Sequence, residues 1–395
     1  MNTCGAGPPA CVRFCGQKIT KPGRSTGARR TFDFLSFCEG YIDVSLRRSL
    51  KFGKDAILGL DIGSSVVKMI ALSRSDAGYS AAAAGIAEIA PTEEDSGNLR
   101  ANTVRAIREC FGQTRTKTKF AVCGVSGPDV AVRDFEFPPL SEEEIAAAVS
   151  LEASQVCPFS AADSAVGYQV IPNGDEKTRG VLVAATHALV QGKIELARSA
   201  GLRCVLMDVD GLALLNCFTG LARGHQTSAA ARPVAILNVG ASHTTLAVMD
   251  ARGWPFIRDM IYAGNDIAAQ MAAHDGTSIE TVKGILFGGS TPAGPDPHDS
   301  LEKACQRLIT DVGETLRYYA AQSKTTAVDK LFVCGGFALA RGFIELLSSR
   351  LGTEAVVWNP FDDPARCGSD QRCEEILAKA GPAMAVAAGL AMRSV

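Results

Sequence analysis

The sequence predicts an α/β protein built from two similar domains, with a smaller α+β subdomain inserted into the first. A β-hairpin pattern at 57–72, ILGLDIGSSVVKMIAL, recurs at 234–250 as VAILNVGASHTTLAVMD. In both copies a β-branched run ends in Asp or Asn, an apolar residue and glycine, and a second such run follows two small residues later. The length of 395 residues also exceeds what a single compact core accommodates.

Small residues in both hairpin turns predict a phosphate-binding site. We expect Gly63 and Gly240 to adopt a backbone geometry that other residues resist. The residues beside them are short enough for backbone N–H groups to reach an anion. They are Ser64 and Ser65 in the first turn, and Ala241 and Ser242 in the second. Two such turns facing each other would hold a polyphosphate from both sides.

The first domain is predicted to comprise 55–117, 188–228 and 376–395. Its further elements are a strand at 78–89, helices at 98–111 and 189–200, a strand at 203–210 and a helix at 211–222. Gly201 follows the second of these helices, where a C-terminal glycine is expected. A linker of small and polar residues at 223–232 predicts the domain boundary.

The segment 118–187 is predicted to form the inserted α+β subdomain. Its helix follows a capping box formed by Ser141 and Glu144. Its strands are predicted at 120–125, 130–137, 168–171 and 180–186. The first of them is short and continuously apolar, which is typical of a buried strand.

The second domain is predicted at 229–375, with a smaller helical subdomain at about 265–325. After the hairpin we expect a strand at 254–262, helices at 265–274, 278–287 and 301–323, a strand at 331–336, a helix at 341–351 and a strand at 355–358. A polar loop with Cys367 and Cys373 is predicted next. A final helix at 382–393 returns to the first domain.

Residues 1–54 are predicted to be an N-terminal extension, partly disordered and basic. Its first 31 residues are rich in Gly, Pro, Ser and Thr. They fit either a solvated tail or a basic arm that touches a membrane or a partner.

The composition excludes several classes of function. A net charge of -2 gives no reason to expect nucleic acid as a partner of the whole chain. No apolar stretch approaches the roughly 20 residues that span a bilayer. The 13 cysteines have no metal-ligand spacing and no signal peptide precedes them, which favours a reducing cytosol. The five histidines lack the spacing of a zinc site, and no GxxxxGK motif indicates a P-loop enzyme.

The chain contains the motifs GLDIGSSVVK (59–68), FEFPPLSEEEIAAAVSLEASQVCPF (135–159), MDVDGLALLN (207–216), LNVGASHTTLAV (237–248), GNDIAAQM (264–271), IETVKG (279–284), LFVCGGFALARGF (331–343) and WNPF (358–361). Together they resemble the motifs of the type IV pilus assembly protein M family, which is actin-like and related to a cell-division actin homologue. The resemblance covers about residues 55–395. It implies the duplicated fold shared by actin, heat-shock chaperone ATPases and hexokinase.

The resemblance implies that ATP or ADP binds between the two domains together with magnesium. Asp61 and Asn238 would hold the ion through water, and Lys68 would face the phosphates. Lys68 fits a solvent-exposed lysine at a strand edge equally well. The implied nucleotide contacts are Gly63, Ser64, Ser65, Lys68, Gly240, Ala241, Ser242, His243, Thr244, Glu280, Lys283, Gly335, Gly336 and Phe337. Glu280 and Lys283 also fit an ordinary surface ion pair, because they lie three residues apart on a predicted helix.

The resemblance also implies a candidate catalytic residue. Asp210 matches the region from which relatives polarise the attacking water, and it equally fits the N-cap of the helix that follows. Asn238 stands where the family pattern usually has Asp. An amide brings no negative charge, so we expect weaker magnesium binding and at most slow hydrolysis of ATP.

The resemblance further implies a cytoplasmic adaptor at the inner face of the inner membrane, in a type IV pilus assembly complex. Its implied partner is the N-terminal cytoplasmic tail of pilus assembly protein N, with contacts to pilus motor ATPases and homodimerisation left open. The alternatives are the actin-like component of a type II secretion system, a division-type filament-forming ATPase, and a sugar or acetate kinase.

Overall fold

Two five-stranded sheets with the same topology organise the computed structural model, which describes residues 57–76, 78–91, 96–171, 177–221, 233–250, 253–288, 298–323, 328–367 and 370–393. The strands are β1 Leu58–Ile62, β2 Val66–Ser75, β3 Gly78–Glu88, β4 Phe120–Val125, β5 Val130–Phe137, β6 Ser164–Val170, β7 Thr178–Thr186, β8 Arg203–Val209, β9 Val234–Val239, β10 Thr244–Met249, β11 Pro255–Met260, β12 Lys330–Cys334 and β13 Glu354–Val357.

The strand orders are β3-β2-β1-β4-β8 in the first sheet and β11-β10-β9-β12-β13 in the second. In each sheet the first three strands form an antiparallel meander, and the last two run parallel to the meander's first strand. The predicted duplication of two hairpins, each extended by a third strand, is therefore confirmed.

Helices cover both faces of each sheet. They are α1 Ser96–Thr114, α2 Glu142–Val156, α3 His187–Ser199, α4 Asp210–Leu221, α5 Gly264–Asp275, α6 Ile279–Phe287, α7 His298–Ser323, α8 Phe343–Leu351, α9 Gln371–Ala380 and α10 Ala385–Ala391. Helix α4 packs against strands of both five-stranded sheets, and α10 packs against α4 and β1. One core therefore joins the first sheet to the near face of the second, and a separate core lies beneath α5 to α8. No helix within these ranges is both long and apolar enough to cross a bilayer.

The central helices approach their neighbours closely because two positions lack a side chain. A Cβ atom on Gly59 of β1 would lie 1.9 Å from the carbonyl oxygen of Ala387 in α10. A Cβ atom on Gly389 would lie 1.8 Å from the carbonyl oxygen of Ala213 in α4. Both contacts are with backbone, which cannot move aside, so glycine sets the spacing of this layer.

The inserted subdomain is a three-stranded antiparallel sheet of order β5-β7-β6 covered by α2. The predicted capping box is present: the Ser141 hydroxyl accepts from the Glu144 amide, and the Glu144 carboxylate accepts from the Ser141 amide. Strand β4 lies in the predicted range 118–187 but pairs with β1 and β8 in the first sheet. The subdomain therefore begins after β4, because a parallel strand buried between two others belongs to the main core.

The C-terminal region differs from the predicted loop and single helix. Residues Gln371–Ala380 form α9, capped by Asp370, whose side chain accepts from the amides of Arg372 and Cys373. Only Cys373 and Leu377 are fully buried on this helix, which is too few to give a periodic pattern. The predicted boundary at 375/376 lies within α9. The predicted final helix is a short 3₁₀ turn followed by α10.

Some predicted segments lie outside the described residues. They are the N-terminal extension at 1–54, the linker at 223–232 and most of the loop before α7.

A buried ion pair attaches the C-terminus to the first sheet. The Arg393 guanidinium donates from Nη2 to Oδ1 of Asp208 in β8 at 2.9 Å, and its Nε lies 2.6 Å from Oδ2 in the same ion pair. The two side chains are 2% and 1% exposed. A hydrogen bond between two charged groups is stronger than one between neutral groups.

Replacing Arg393 with methionine should lower the melting temperature strongly, because it leaves the Asp208 carboxylate buried without its cation. Losing one member of such a pair typically costs about 3–5 kcal/mol. Calorimetry of Arg393→Met, the double variant Asp208→Asn/Arg393→Met and the exposed control Arg372→Met measures this. The double variant should recover part of the loss, and a loss in Arg393→Met no greater than in the control would contradict the prediction.

Candidate functional site

The two predicted phosphate-gripping turns have the same backbone hydrogen bond. The Gly63 amide donates to the Val66 carbonyl at 3.2 Å, and the Gly240 amide donates to the His243 carbonyl at 3.0 Å. Neither glycine has a positive φ, so the prediction that these positions need a backbone geometry that other residues resist is wrong. The reason is space: a Cβ atom would lie 2.8 Å from the Val66 oxygen in the first turn and 2.9 Å from the His243 oxygen in the second.

Two cations lie at the first turn. Lys68 is the register partner of Asp61 across the hairpin, and its Nζ lies 2.8 Å from Asp61 Oδ2. Its side chain is 16% exposed, so the alternative of a solvent-exposed strand-edge lysine is wrong. Lys193 of α3 donates to the Ile62 carbonyl at 2.5 Å. Sequence reasoning missed Lys193, because helical spacing gives no sign of which strand end a helix faces.

The second turn is held by the start of α5. The Gly264 amide donates to the Gly240 carbonyl at 3.0 Å, and the Asn265 amide donates to the Ala241 carbonyl at 2.8 Å. Beside them, the Ser242 hydroxyl and His243 Nδ1 lie 2.8 Å apart. The next residue, Thr244, is fully buried, and its hydroxyl donates to the Tyr262 carbonyl at 2.8 Å.

The loop after β4 joins the two halves of the site. The Ser126 hydroxyl donates to Asp210 Oδ2 at 2.7 Å, and the Gly127 amide donates to Asp259 Oδ2 at 2.8 Å. A Cβ atom on Gly127 would lie 2.9 Å from Nε2 of His243 in the second turn. The φ of Gly127 is 101°, which also favours glycine. Residues from both domains therefore meet at Ser126 and Gly127.

Asp210 is the first residue of α4, and its carboxylate accepts a hydrogen bond from the Ser126 hydroxyl. It therefore does not act as the N-cap of that helix, which is the alternative role predicted for this residue. Burial, together with the charges of Asp61 and Asp259, raises its pKa from 3.8 to about 7, against the opposing effects of the Ser126 hydrogen bond and the charge of Lys193. Burial also raises the pKa of Asp259, against the hydrogen bonds from Thr245 and Gly127. The hydroxyl of Thr245 donates to Asp259 Oδ1 at 2.5 Å.

Asn238 and Gly335 lie side by side in the second domain. Gly335 has a φ of 89°, and a Cβ atom there would lie 2.4 Å from the Val239 carbonyl oxygen and 2.7 Å from Asn238 Oδ1. Both constraints require glycine at 335. The Asn238 oxygen accepts a long hydrogen bond from the Cys334 thiol at 3.8 Å. Thr245 is the register partner of Asn238, in the position that Lys68 occupies opposite Asp61.

Aromatic contacts connect the second turn to α6. Phe337 lies against Gly264, where a Cβ atom would be 2.7 Å from its ring. The Phe337 ring also packs edge-on to Phe287 at the end of α6, with 5.9 Å between centroids. Glu280 and Lys283 are exposed and precede Phe287 by seven and four residues, on the same helical face. Within the described residues no ion pair joins Glu280 to Lys283, so that alternative is not observed.

The donor set fits magnesium bound together with a polyphosphate. Within the described part of the chain, no three His, Cys, Asp or Glu side chains are grouped so as to hold a metal by themselves. Magnesium in nucleotide sites is typically held by one or two carboxylates plus phosphate oxygens. Asp61 is such a carboxylate, and the neighbouring charges of Asp210 and Asp259 favour a cation. In the two turns Ser64 is exposed and Ser65, Ala241 and Ser242 are half-buried, so these residues are accessible to an anion.

Three residues of this site were not predicted from the sequence: Ser126, Lys193 and Asp259. Each is brought in by tertiary contact. Ser126 follows a strand that was assigned to the inserted subdomain, and Asp259 lies in a strand with no counterpart carboxylate in the first repeat. The repeat of the two hairpins gave no signal for any of them.

Asp210→Asn should stabilise the nucleotide-free protein increasingly as the pH rises. Because the folded pKa is raised, the fold favours the protonated acid, and stability is lost between about pH 4 and pH 7 as the carboxyl ionises in the unfolded chain. The asparagine keeps the acceptor for Ser126 but never ionises. Between pH 5 and pH 8 the advantage of the variant should grow by up to roughly 3 kcal/mol.

Melting temperatures of both proteins, measured in EDTA across this pH range, check the prediction. Asp129→Asn, at an exposed position of the same loop, is the control and should follow the unaltered protein. A melting-temperature difference that does not change with pH would contradict the buried, raised-pKa environment of Asp210.

Comparison with known proteins places this chain in a family. The family model described as type IV pilus assembly protein PilM matches residues 59–395. The PilM-PilN type IV pilus biogenesis complex is similar in structure, with a TM-score of 0.71 and 24% identity over 86% of this chain and 98% of that chain. Ethanolamine utilization protein EutJ from Carboxydothermus hydrogenoformans is similar with a TM-score of 0.50 and 11% identity, over 87% of this chain and 92% of that chain.

These likenesses confirm the predicted fold, which is the duplicated α/β fold of the actin-like ATPases. The resemblance of the sequence motifs is confirmed independently by the family model, which spans most of the chain. This chain belongs to the type IV pilus assembly protein PilM family.

Proposed function

We propose that this chain is a nucleotide-binding adaptor of a type IV pilus assembly complex, which binds ATP with magnesium between its two domains and hydrolyses it slowly or not at all. The observation that supports this most is the loop at Ser126 and Gly127, which donates to Asp210 of the first domain and Asp259 of the second and lies against the second hairpin turn. A member of the PilM family with this arrangement has the parts of an actin-like nucleotide site.

In this proposal the phosphates lie between the turns at Gly63–Val66 and Gly240–Thr244. Backbone amides and the hydroxyls of Ser64, Ser65 and Ser242 donate to them, and Lys68 and Lys193 supply positive charge. The base and ribose are bordered by the exposed side chains of Glu280 and Lys283 and by Gly335, Gly336 and Phe337.

Magnesium, when bound, would neutralise charge on the phosphates and hold them in line for attack by water. Asp61 and Asn238 would hold it from opposite domains. Asp210 is placed to accept a proton at its carboxylate, and a pKa of about 7 is close to that of an effective general base. Asn238 contributes no charge, so the second domain stabilises the ion weakly and hydrolysis is slow.

Asn238→Asp should raise ATP turnover, because a carboxylate restores charge on the side of the second hairpin. Release of phosphate measures turnover, and calorimetric titration of the unaltered protein with Mg-ATP measures binding. Asn265→Asp, which adds the same charge at the start of α5, controls for charge alone. Absence of Mg-ATP binding would refute the proposed site, and brisk hydrolysis by the unaltered protein would refute the role of Asn238.

The proposed partner is the N-terminal cytoplasmic tail of PilN. A related structure is a PilM-PilN complex, and within the described residues β6 forms an unpaired edge of the inserted sheet, whereas the other edge strand, β5, lies beside β11. An extended tail can add to such an edge through main-chain hydrogen bonds, with its side chains in neighbouring pockets. Binding of this tail would recruit a cytoplasmic protein to the inner face of the inner membrane.

Removal of the inserted subdomain should abolish tail binding while leaving nucleotide binding intact. Residues 130–185 can be replaced by a short glycine linker, because the Thr186 amide donates to the Asp129 carbonyl at 3.1 Å. Circular dichroism of the variant checks that the main core survives the removal of the buried residues of β7. Fluorescence anisotropy with a labelled tail peptide measures the loss. The control is Mg-ATP titration of the same variant, and undiminished peptide affinity would place the tail elsewhere.

A further inference from the structure

Exposed cations are concentrated at the end of the first sheet where its parallel strands begin. These strands are β1, β4 and β8, with Leu58 opposite Ala121 and Phe120 opposite Arg203. The Arg203 amide donates to the Lys119 carbonyl at 2.7 Å. We name the exposed cations of this region the basic edge: Arg108, Arg115, Lys117, Lys119, Arg198 and Arg203.

Three of these cations are presented by a connection with alternating sequence. Residues 114–119 read TRTKTK, and each threonine hydroxyl accepts a hydrogen bond from the backbone amide two residues further on, at 3.4 Å. The threonines are buried or half-buried. The alternate residues, Arg115, Lys117 and Lys119, consequently project outward and are exposed. The local hydrogen bonds order this connection without using any of its charges.

Favourable contacts with helix C-termini explain only some of the cations of the basic edge. Helices α1 and α3 both end here, and cations are favourable near the negative end of a helix. Arg108 donates to the Ser199 carbonyl at 2.6 Å, and Arg198 lies in the last turn of α3. These two have a structural role. The three cations between Thr114 and Phe120 cap nothing, so their charge has no structural use within the described residues.

The basic edge lies on the opposite side of the sheet from the proposed nucleotide site. Gly63, Ser126 and Asp210 follow the carboxyl ends of β1, β4 and β8, whereas the basic edge surrounds their amino ends. A six-residue strand separates the two ends by about 20 Å. The whole chain carries a net charge of -2, so this positive surface is offset by negative charge elsewhere and the molecule is electrically asymmetric.

We propose that the basic edge docks on a bilayer surface of anionic lipids. None of the exposed large apolar side chains of the described residues belongs to it. A protein interface is usually anchored by buried aromatic or apolar side chains, whereas a charged lipid surface needs only clustered cations. The choice of a bilayer also rests on the proposed role at the inner membrane. Docking here would turn the nucleotide site away from the bilayer.

The test is co-sedimentation of the full chain with vesicles of phosphatidylcholine alone or with 30% phosphatidylglycerol. We expect binding only to the anionic vesicles, weakened by salt over the range where the Debye length falls from about 10 Å to 3 Å. The variant Arg115→Gln/Lys117→Gln/Lys119→Gln should bind at least about tenfold more weakly. A matched variant, Lys303→Gln/Arg372→Gln/Lys379→Gln, removes three exposed cations elsewhere and should bind as the unaltered protein does.

A second control separates the basic edge from the basic N-terminal segment. The variant Lys18→Gln/Lys21→Gln/Arg24→Gln should still bind the anionic vesicles. Loss of binding in this variant but not in the Arg115/Lys117/Lys119 variant would overturn the proposal. Vesicle binding by the Arg115/Lys117/Lys119 variant equal to that of the unaltered protein would overturn it as well, and so would binding to polyglutamate or DNA but not to vesicles. These vesicles contain no PilN, so vesicle binding does not depend on the proposed partner. Binding of Mg-ATP and of the tail peptide by the Arg115/Lys117/Lys119 variant is measured separately and tests the proposed function.

Discussion

The rest of the structure depends on how closely helices α4 and α10 pack against their neighbours. Glycines at Gly59 and Gly389 let backbone meet backbone, so the helical layer is set by hard contacts and not by adaptable side chains. Arg393, just after α10, is locked to Asp208 in the same layer. Because Asp210 follows Asp208 by two residues and begins α4, the position of the buried carboxylate is determined by this packing.

The two repeats share a backbone but differ in electrostatics. Asp61 and Lys68 face each other in the first hairpin, and Asn238 and Thr245 occupy the same positions in the second. At these matched positions the first hairpin has an ion pair and the second has neutral donors and acceptors, while the carboxylate bonded to Thr245 is supplied by Asp259 of the following strand. In the proposed function, the missing charge at Asn238 is what makes hydrolysis slow.

Local patterns were sufficient for the fold and for the two turns, because alternation, glycine placement and the capping box are all short-range signals. Helix α9 was missed because it buries one short stripe that includes Cys373 and Leu377, which does not repeat often enough to be recognised. Lys193 and Asp259 were missed for a different reason. Their roles depend on which strand ends the chain brings together, and no spacing in the sequence encodes that.

The inserted subdomain leaves the first domain after Asp129 and rejoins it at Thr186, whose amide donates to the Asp129 carbonyl. The subdomain is not suspended on this crossing alone, because β7 contributes buried residues to the main core and β5 lies beside β11 of the second domain. A displacement of its sheet would therefore be transmitted to both domains, beginning with Ser126 and Gly127, which precede the crossing.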